Sequence, residues 1–293
     1  MRESRFRFIG PRPAVALRIS FCAGQIGVHA GTSMRPVIDH GRTIDWGATS
    51  GDYAAFRTGP PDALFDRLQA LGIGAAGQRI LDLGTGTGVM ARAFARRQST
   101  VAGIDVAPEQ IEQARRLAAL ERLRIDFRVA PAEEPPFADR SFDAATANQC
   151  FLYFDRERVL AALRRVLVRG GRLVVSHYNW LPRIDAIAGA SEELILQFNP
   201  SWQAAGFDGT ILPVPEWAPS DLVLEGFFWF DVDVPFDRNS WRGRIRASRG
   251  VGASLPPSQI EAFDKEHAAL LSRVAPETFT IKHRVDARIL CFS

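Results

Sequence analysis

Residues 81–88, Leu-Asp-Leu-Gly-Thr-Gly-Thr-Gly, constrain the fold of this 293-residue chain more than any other stretch. A short apolar run, Arg79–Leu83, leads into them, and a helix-forming run, Val89–Arg97, follows. A chain that passes from strand to helix this quickly must turn sharply. Glycine takes the left-handed backbone angles of such a turn and lets a ligand approach the backbone closely. The next apolar run, Thr100–Asp105, ends on an acid 19 residues beyond Gly86. In a parallel sheet that carboxylate sits at the tip of the neighbouring strand, where it can accept hydrogen bonds from both hydroxyls of a ribose. Loop and acid together point to a nucleoside cofactor.

The surrounding pattern supports a parallel sheet. Pro60-Pro61 opens a helix with Ala63, Leu64, Leu68 and Leu71 on one face, ended by Gly72 and Gly74. Beyond Asp105 come a helix from Glu109 to about Leu120 and strands at Ile125–Val129 and Ser141–Ala147. A helix from Arg156 to Val168 follows, stopped by Gly170-Gly171, and then a fifth strand, Arg172–Tyr178. Strands alternating with helices imply right-handed crossovers. Residues 181–224 break this rhythm with five prolines and two tryptophans. Strand-like runs at Glu225–Phe236 and Thr278–Phe292 flank a helix at Gln259–Val274. The expected fold is α/β: a Rossmann-like, mostly parallel seven-stranded sheet with helices on both faces and a lid or insertion after the fifth strand. Residues 34–293 are expected to form a single domain, with a cofactor-binding core at 78–178 and a substrate lid region at 181–250.

Charge argues against a nucleic-acid partner. The net charge is +3, yet the five arginines and one glutamate of residues 1–33 supply +4 of it and leave the remainder at −1. The electrostatic footprint of phosphate-backbone binding is missing from the body of the chain. Residues 1–33 read as an unstructured extension, with Met34 the expected natural start. No run of 18 apolar residues suggests a membrane span. Three dispersed cysteines, Cys22, Cys150 and Cys291, suit a reducing cytoplasm and give neither a disulfide framework nor a metal site. Cys150 reads as a small core residue.

Glycine spacing bears on which nucleoside is bound. Dinucleotide enzymes use G-x-G-x-x-G, which seats a pyrophosphate on a helix N-terminus. Here the spacing is G-x-G-x-G at Gly84, Gly86 and Gly88, with Asp82 on the strand itself. S-adenosylmethionine (SAM) has no phosphate to seat, but it has an ammonium group that an acidic strand residue can bind. Residues 79–175 resemble the class I SAM-dependent methyltransferases, in particular their small-molecule branch. Asp82-Leu-Gly-Thr-Gly-Thr-Gly88 resembles their first motif, Thr85 included, and Gly103-Ile-Asp-Val106 their second. Ala132–Phe137 with Ser141–Asp143 resembles their adenine-binding loop and fourth strand, and Leu163–Leu173 their glycine turn before strand five. The resemblance implies that Val106 flanks the adenine, that Ala132 and Glu133 meet its polar edge, and that Asn148 and Gln149 lie near the sulfonium. Pro131 stands where the family often has an acid, and Leu152 where a histidine is common. Asp45-Trp-Gly and Tyr53–Arg57 resemble the N-terminal segment that folds over the cofactor, and Tyr53 and Arg57 are substrate-contact candidates.

Methyl transfer asks chiefly for positioning and exclusion of water, so no invariant catalytic triad is expected. His177, near the end of the fifth strand, is the candidate base or substrate contact. Trp180, Trp202, Trp217 and Phe227–Phe230 are candidates to line an apolar substrate pocket, although burial on a core strand explains the phenylalanines equally well. Arg244 is a candidate clamp for a substrate carboxylate, whereas Arg242, Arg246 and Arg249 would share a solvated helix face. The preferred function is SAM-dependent methylation of a small molecule. The rivals are an inactive SAM-binding sensor, an NAD(P)-dependent oxidoreductase (disfavoured by the glycine spacing and the lack of a Tyr-x-x-x-Lys pair) and a nucleic-acid methylase.

Overall fold

A computed structural model describes residues 44, 45, 47, 50–56 and 59–293. The expectations for residues 1–33, for Trp46 and for Arg57 lie outside the described residues. Seven strands form one sheet in the order β3-β2-β1-β4-β5-β7-β6. They are β1 Arg79–Leu83, β2 Thr100–Asp105, β3 Ile125–Val129, β4 Phe142–Asn148, β5 Leu167–Trp180, β6 Leu222–Asp237 and β7 Thr278–Phe292. Pairing is parallel from β3 through β5, and β7 runs antiparallel to both its neighbours. The helices are α1 Ser50–Phe56, α2 Asp62–Ala70, α3 Val89–Arg96, α4 Pro108–Leu120, α5 Arg156–Val166, α6 Ala186–Phe198, α7 Arg238–Arg246 and α8 Pro257–Val274.

Central strands are apolar on both faces because helices cover both. On one face Ile80, Val101, Ala144 and Val174 pack with Leu64 and Leu68 of α2, Phe94 of α3, Ile111 of α4 and Trp241 of α7. On the other, Leu81, Leu83, Ala145 and Leu173 pack with Val159, Leu160 and Leu163 of α5. Strand β6, at the sheet edge, alternates between buried or half-buried and exposed side chains over most of its length. Because β1, β2, β4 and β5 are parallel, their C-terminal ends open at one edge, where ligands bind in open α/β sheets.

Three local expectations need correction. Helix α5 ends at Val166, two residues early, and β4–β5 pairing jumps from Phe142–Leu167 to Ala144–Arg172. Residues 168–171 are therefore left out of the register, with Gly170 at φ 74°. The stretch 181–224 contains a regular helix, α6, whose N-cap Asp185 accepts from the backbone N–H groups of Ile187 and Ala188. Finally, α7 stops at Arg246 and its arginines are not a solvated stripe. Arg242 and Arg246 both pair with Asp264 of α8, and Arg246 also reaches Asp52 of α1 at 2.9 Å.

Candidate active site

The glycine loop is shaped from beneath. Gly84, Gly86 and Gly88 have φ of 55°, 54° and 77°. A Cβ on Gly84 would meet Cys150 Sγ at 2.9 Å, and one on Gly88 would meet the Phe127 ring at 2.8 Å. Both positions thus need glycine for conformation and for space. Asp82 is 1% exposed and accepts from Thr85 Oγ1 at 2.6 Å and Thr146 Oγ1 at 2.7 Å. Burial pushes its carboxyl up to about 6 in spite of those hydroxyls. Asp82, expected to bind the ammonium group, is not among the residues that line the cavity in front of the loop. With Thr85 and Gly88 it lies behind the loop, and its carboxylate ties the loop to β4.

In front of the loop lies a cavity of about 580 Å³ that runs between two groups of residues. The first group contains Gly84, Gly86, Asp105, Val106, Ala132, Glu133, Asn148 and Gln149, all anticipated from sequence. Asp105 accepts from Gly86 N–H at 2.9 Å and Ala107 N–H at 3.0 Å. Desolvation raises its carboxyl, and the backbone donors, including Val106 N–H, oppose the rise. Val106 is 58% exposed, an apolar side chain set beside the acid with open space in front of it. One oxygen of Glu133 accepts from Asp155 N–H at 2.9 Å, at the start of α5. Asn148 Oδ1 accepts from Ser176 Oγ at 3.1 Å. Gln149, at φ 66°, donates to Asn179 Oδ1 at 2.9 Å and to the Tyr178 carbonyl. Cys150 lines the cavity, donates to the Leu83 carbonyl at 3.2 Å and packs, half-buried, against the core.

The second group comes from β5, α6, α7 and their connections: His177, Asn179, Trp180, Glu192, Trp202, Gln203, Arg244 and Ser248 among others. Trp180 Nε1 donates to Glu192 Oε1 at 2.6 Å, and the Arg244 guanidinium stacks 4.8 Å over the Trp180 ring. Glu192 also accepts from Gly206 N–H at 2.8 Å, and burial raises its carboxyl. His177 Nδ1 lies 3.1 Å from Asp286 Oδ1. Leu152 lines the cavity at the position where the family's histidine was expected to be missing.

The structure brings His177, Trp180, Trp202 and Arg244 together and leaves other candidates out. Trp217 stacks on Phe151 at 4.5 Å beneath the opposite face of the sheet. Phe228 and Phe230 pack against the core, and Trp229 is half exposed under Arg284. Tyr53 falls on α1. Sequence reasoning missed Glu192 and Asp286. A buried acid in the apolar alternation of β7 was visible as Val285-Asp-Ala-Arg288, but nothing local indicates its cross-strand partner.

Residues 81–175 match the family model of the methyltransferase domain. This stretch is a methyltransferase domain. The chain is 44% identical over 106 residues to a demethylmenaquinone methyltransferase of Thermus thermophilus, covering 35% of this chain and 48% of that protein. It is 33% identical over 127 residues to a ubiquinone biosynthesis O-methyltransferase of Xanthomonas oryzae pv. oryzae, covering 43% and 53%. The chain thus spans about half the length of the curated relatives it matches. In structure it is similar to a protein from Anaeromyxobacter dehalogenans, provisionally described as a type II methyltransferase. That likeness has a TM-score of 0.57 at 23% identity, covers 81% of this chain and 97% of that one, and shows the shared fold.

Proposed function

We propose that the chain is an enzyme that transfers a methyl group from SAM to a small molecule. The observation that carries this reading is the continuous cavity from the glycine loop to the end of β5. The chemistry of the cofactor end fits SAM better than a dinucleotide. Its charged lining residues are the acids Asp105 and Glu133, while Arg244 and Arg249 line the other end. Acids beside the loop repel a diphosphate and favour a cation. Asp105 would hold the ribose, Val106 and Ala132 would flank the adenine, and the backbone of Gly84 and Gly86 would face the amino-acid end. Asn148 and Gln149 would border the sulfonium.

When bound, SAM supplies an activated methyl group, and the thioether left behind needs no proton. The protein's task is then to hold the acceptor in line and keep water out. Trp180, Trp202 and Arg244 form the compartment for that acceptor, with His177 at its boundary. Residues 181–250 act as the substrate lid over the cofactor-binding core at 78–178. None of the described helices is long and apolar enough to cross a membrane; we place the protein in the cytoplasm, with no nucleic-acid partner. Screening small-molecule acceptors for S-adenosylhomocysteine release tests the reading. Release with one acceptor class supports it. Firm SAM binding with no release from any class would replace it with the inactive sensor.

A further inference from the structure

We infer that His177 and Asp286 form a base and its positioning residue, and that the methyl acceptor is a group that must shed a proton on transfer, a hydroxyl rather than a carboxylate or thiolate. The inference rests on the methyl-transfer reading and narrows its substrate class.

The two residues face each other across the sheet, His177 of β5 in register with Asp286 of β7. His177 lines the cavity, while Asp286 is 2% exposed behind it. The hydrogen in their 3.1 Å contact can be assigned. The same Asp286 Oδ1 accepts from Arg288 Nη1 at 2.8 Å, so this oxygen is an acceptor and His177 Nδ1 must be the donor. With Nδ1 protonated, neutral His177 keeps its lone pair on Nε2. Arg288 is itself fixed, because its Nε and Nη2 donate to the Leu212 carbonyl at 2.9 and 2.6 Å. A chain of bonds thus runs from the segment after α6 through Arg288 and Asp286 to the imidazole. The protein's two other described histidines, His267 and His283, are fully buried, and neither lines this cavity.

An oriented imidazole base has work to do only for some acceptors. A carboxylate or thiolate carries no proton to remove, whereas an alcohol or phenol does. In the transfer, the hydroxyl O–H bond breaks and its proton passes to His177 Nε2. The oxygen's electron pair forms the bond to the methyl carbon, and the sulfur keeps the pair of the bond that breaks. Asp286 holds the ring and stabilises the imidazolium, which returns its proton to solvent as product leaves.

Nitrogen-15 imidazole NMR tests the pair without any substrate, with His177→Gln assigning the signal. The neutral ring is expected to carry its hydrogen on Nδ1, and Asp286→Ala to abolish that preference. A wild-type ring protonated on Nε2 would overturn the assignment. With acceptors matched in shape but ending in hydroxyl, carboxylate or thiol, the hydroxyl is expected to be the one methylated with dependence on His177. His177→Gln should then lower kcat by about 100-fold or more, with SAM affinity by calorimetry unchanged. Undiminished turnover in His177→Gln, or methylation of the carboxylate or thiol alone, would overturn the inference. Failure to bind SAM would instead sink the underlying function and leave the tautomer result standing.

Discussion

Asp82 and His267 show how single buried groups set the conditions under which this protein works. Asp82 accepts from two threonines, and Thr146 is the one that links the loop to β4. Thr146→Val removes that donor from a buried carboxylate and should cost ~1–3 kcal/mol of unfolding free energy, read by urea denaturation at pH 7.5. A cost below a few tenths would mean that the hydroxyl does not support the loop. His267 accepts or donates at Nε2 to Ser191 at 3.0 Å, and burial pulls it down to about 4 from an ordinary 6.5. As pH falls through 6.5 the unfolded chain takes up the proton first, so the folded state loses stability until about pH 4. His267→Gln should therefore gain on wild type by up to about 3 kcal/mol between pH 7.5 and pH 4. A difference that does not change with pH would show that the site titrates normally.

At the scale of elements, the loop between β1 and α3 and the docking of α1 are the exposed points of the design. Gly88→Ala forces a side chain onto a φ of 77° and into the Phe127 ring. We expect a loss of ~2–4 kcal/mol and a marked fall in SAM affinity. Retained stability would mean that the loop can rebuild. Helix α1 is held by Arg246–Asp52 and by Phe56, whose ring occupies the space a side chain on Gly243 would need. Phe56→Ala and Gly243→Ala should each speed limited proteolysis within α1, and Phe56→Ala should leave the urea midpoint of the remainder nearly unchanged. Equal proteolysis of all three proteins would show that Gly243 does not seat the helix. Most of these elements were legible in the sequence. The loop, Asp105 and the order of β1 to β5 follow from local chemistry, and the junction of α5 and β5 was misread, because Leu167 and Val168 continue the helix's apolar pattern although they already belong to the strand. Helix α6 was hidden among prolines. The contacts of Arg242 and Arg246 with Asp264 and Asp52 were not readable, since they depend on how α7, α8 and α1 pack together.

At the scale of the whole molecule, the parallel order of β1, β2, β4 and β5 gathers loop, acid, amide pair and imidazole at one sheet edge, while antiparallel β7 brings Asp286 behind them. Residues far apart in the chain meet only because of that order. For this reason the cofactor end was legible from spacing and the acceptor end was legible only in part. Of the residues named from sequence, Trp180, Trp202 and Arg244 line the cavity and Trp217 does not, while Glu192 in its wall and Asp286 behind His177 were not named. The central claim is that this edge receives SAM with Asp105 on its ribose. Calorimetric titration of wild type and Asp105→Ala with SAM and with NADH tests it most directly. We predict one SAM site in wild type, weakened by ~1.5–3 kcal/mol in the variant, and no comparable NADH binding. NADH binding in place of SAM, or equal SAM affinity in both proteins, would contradict the account.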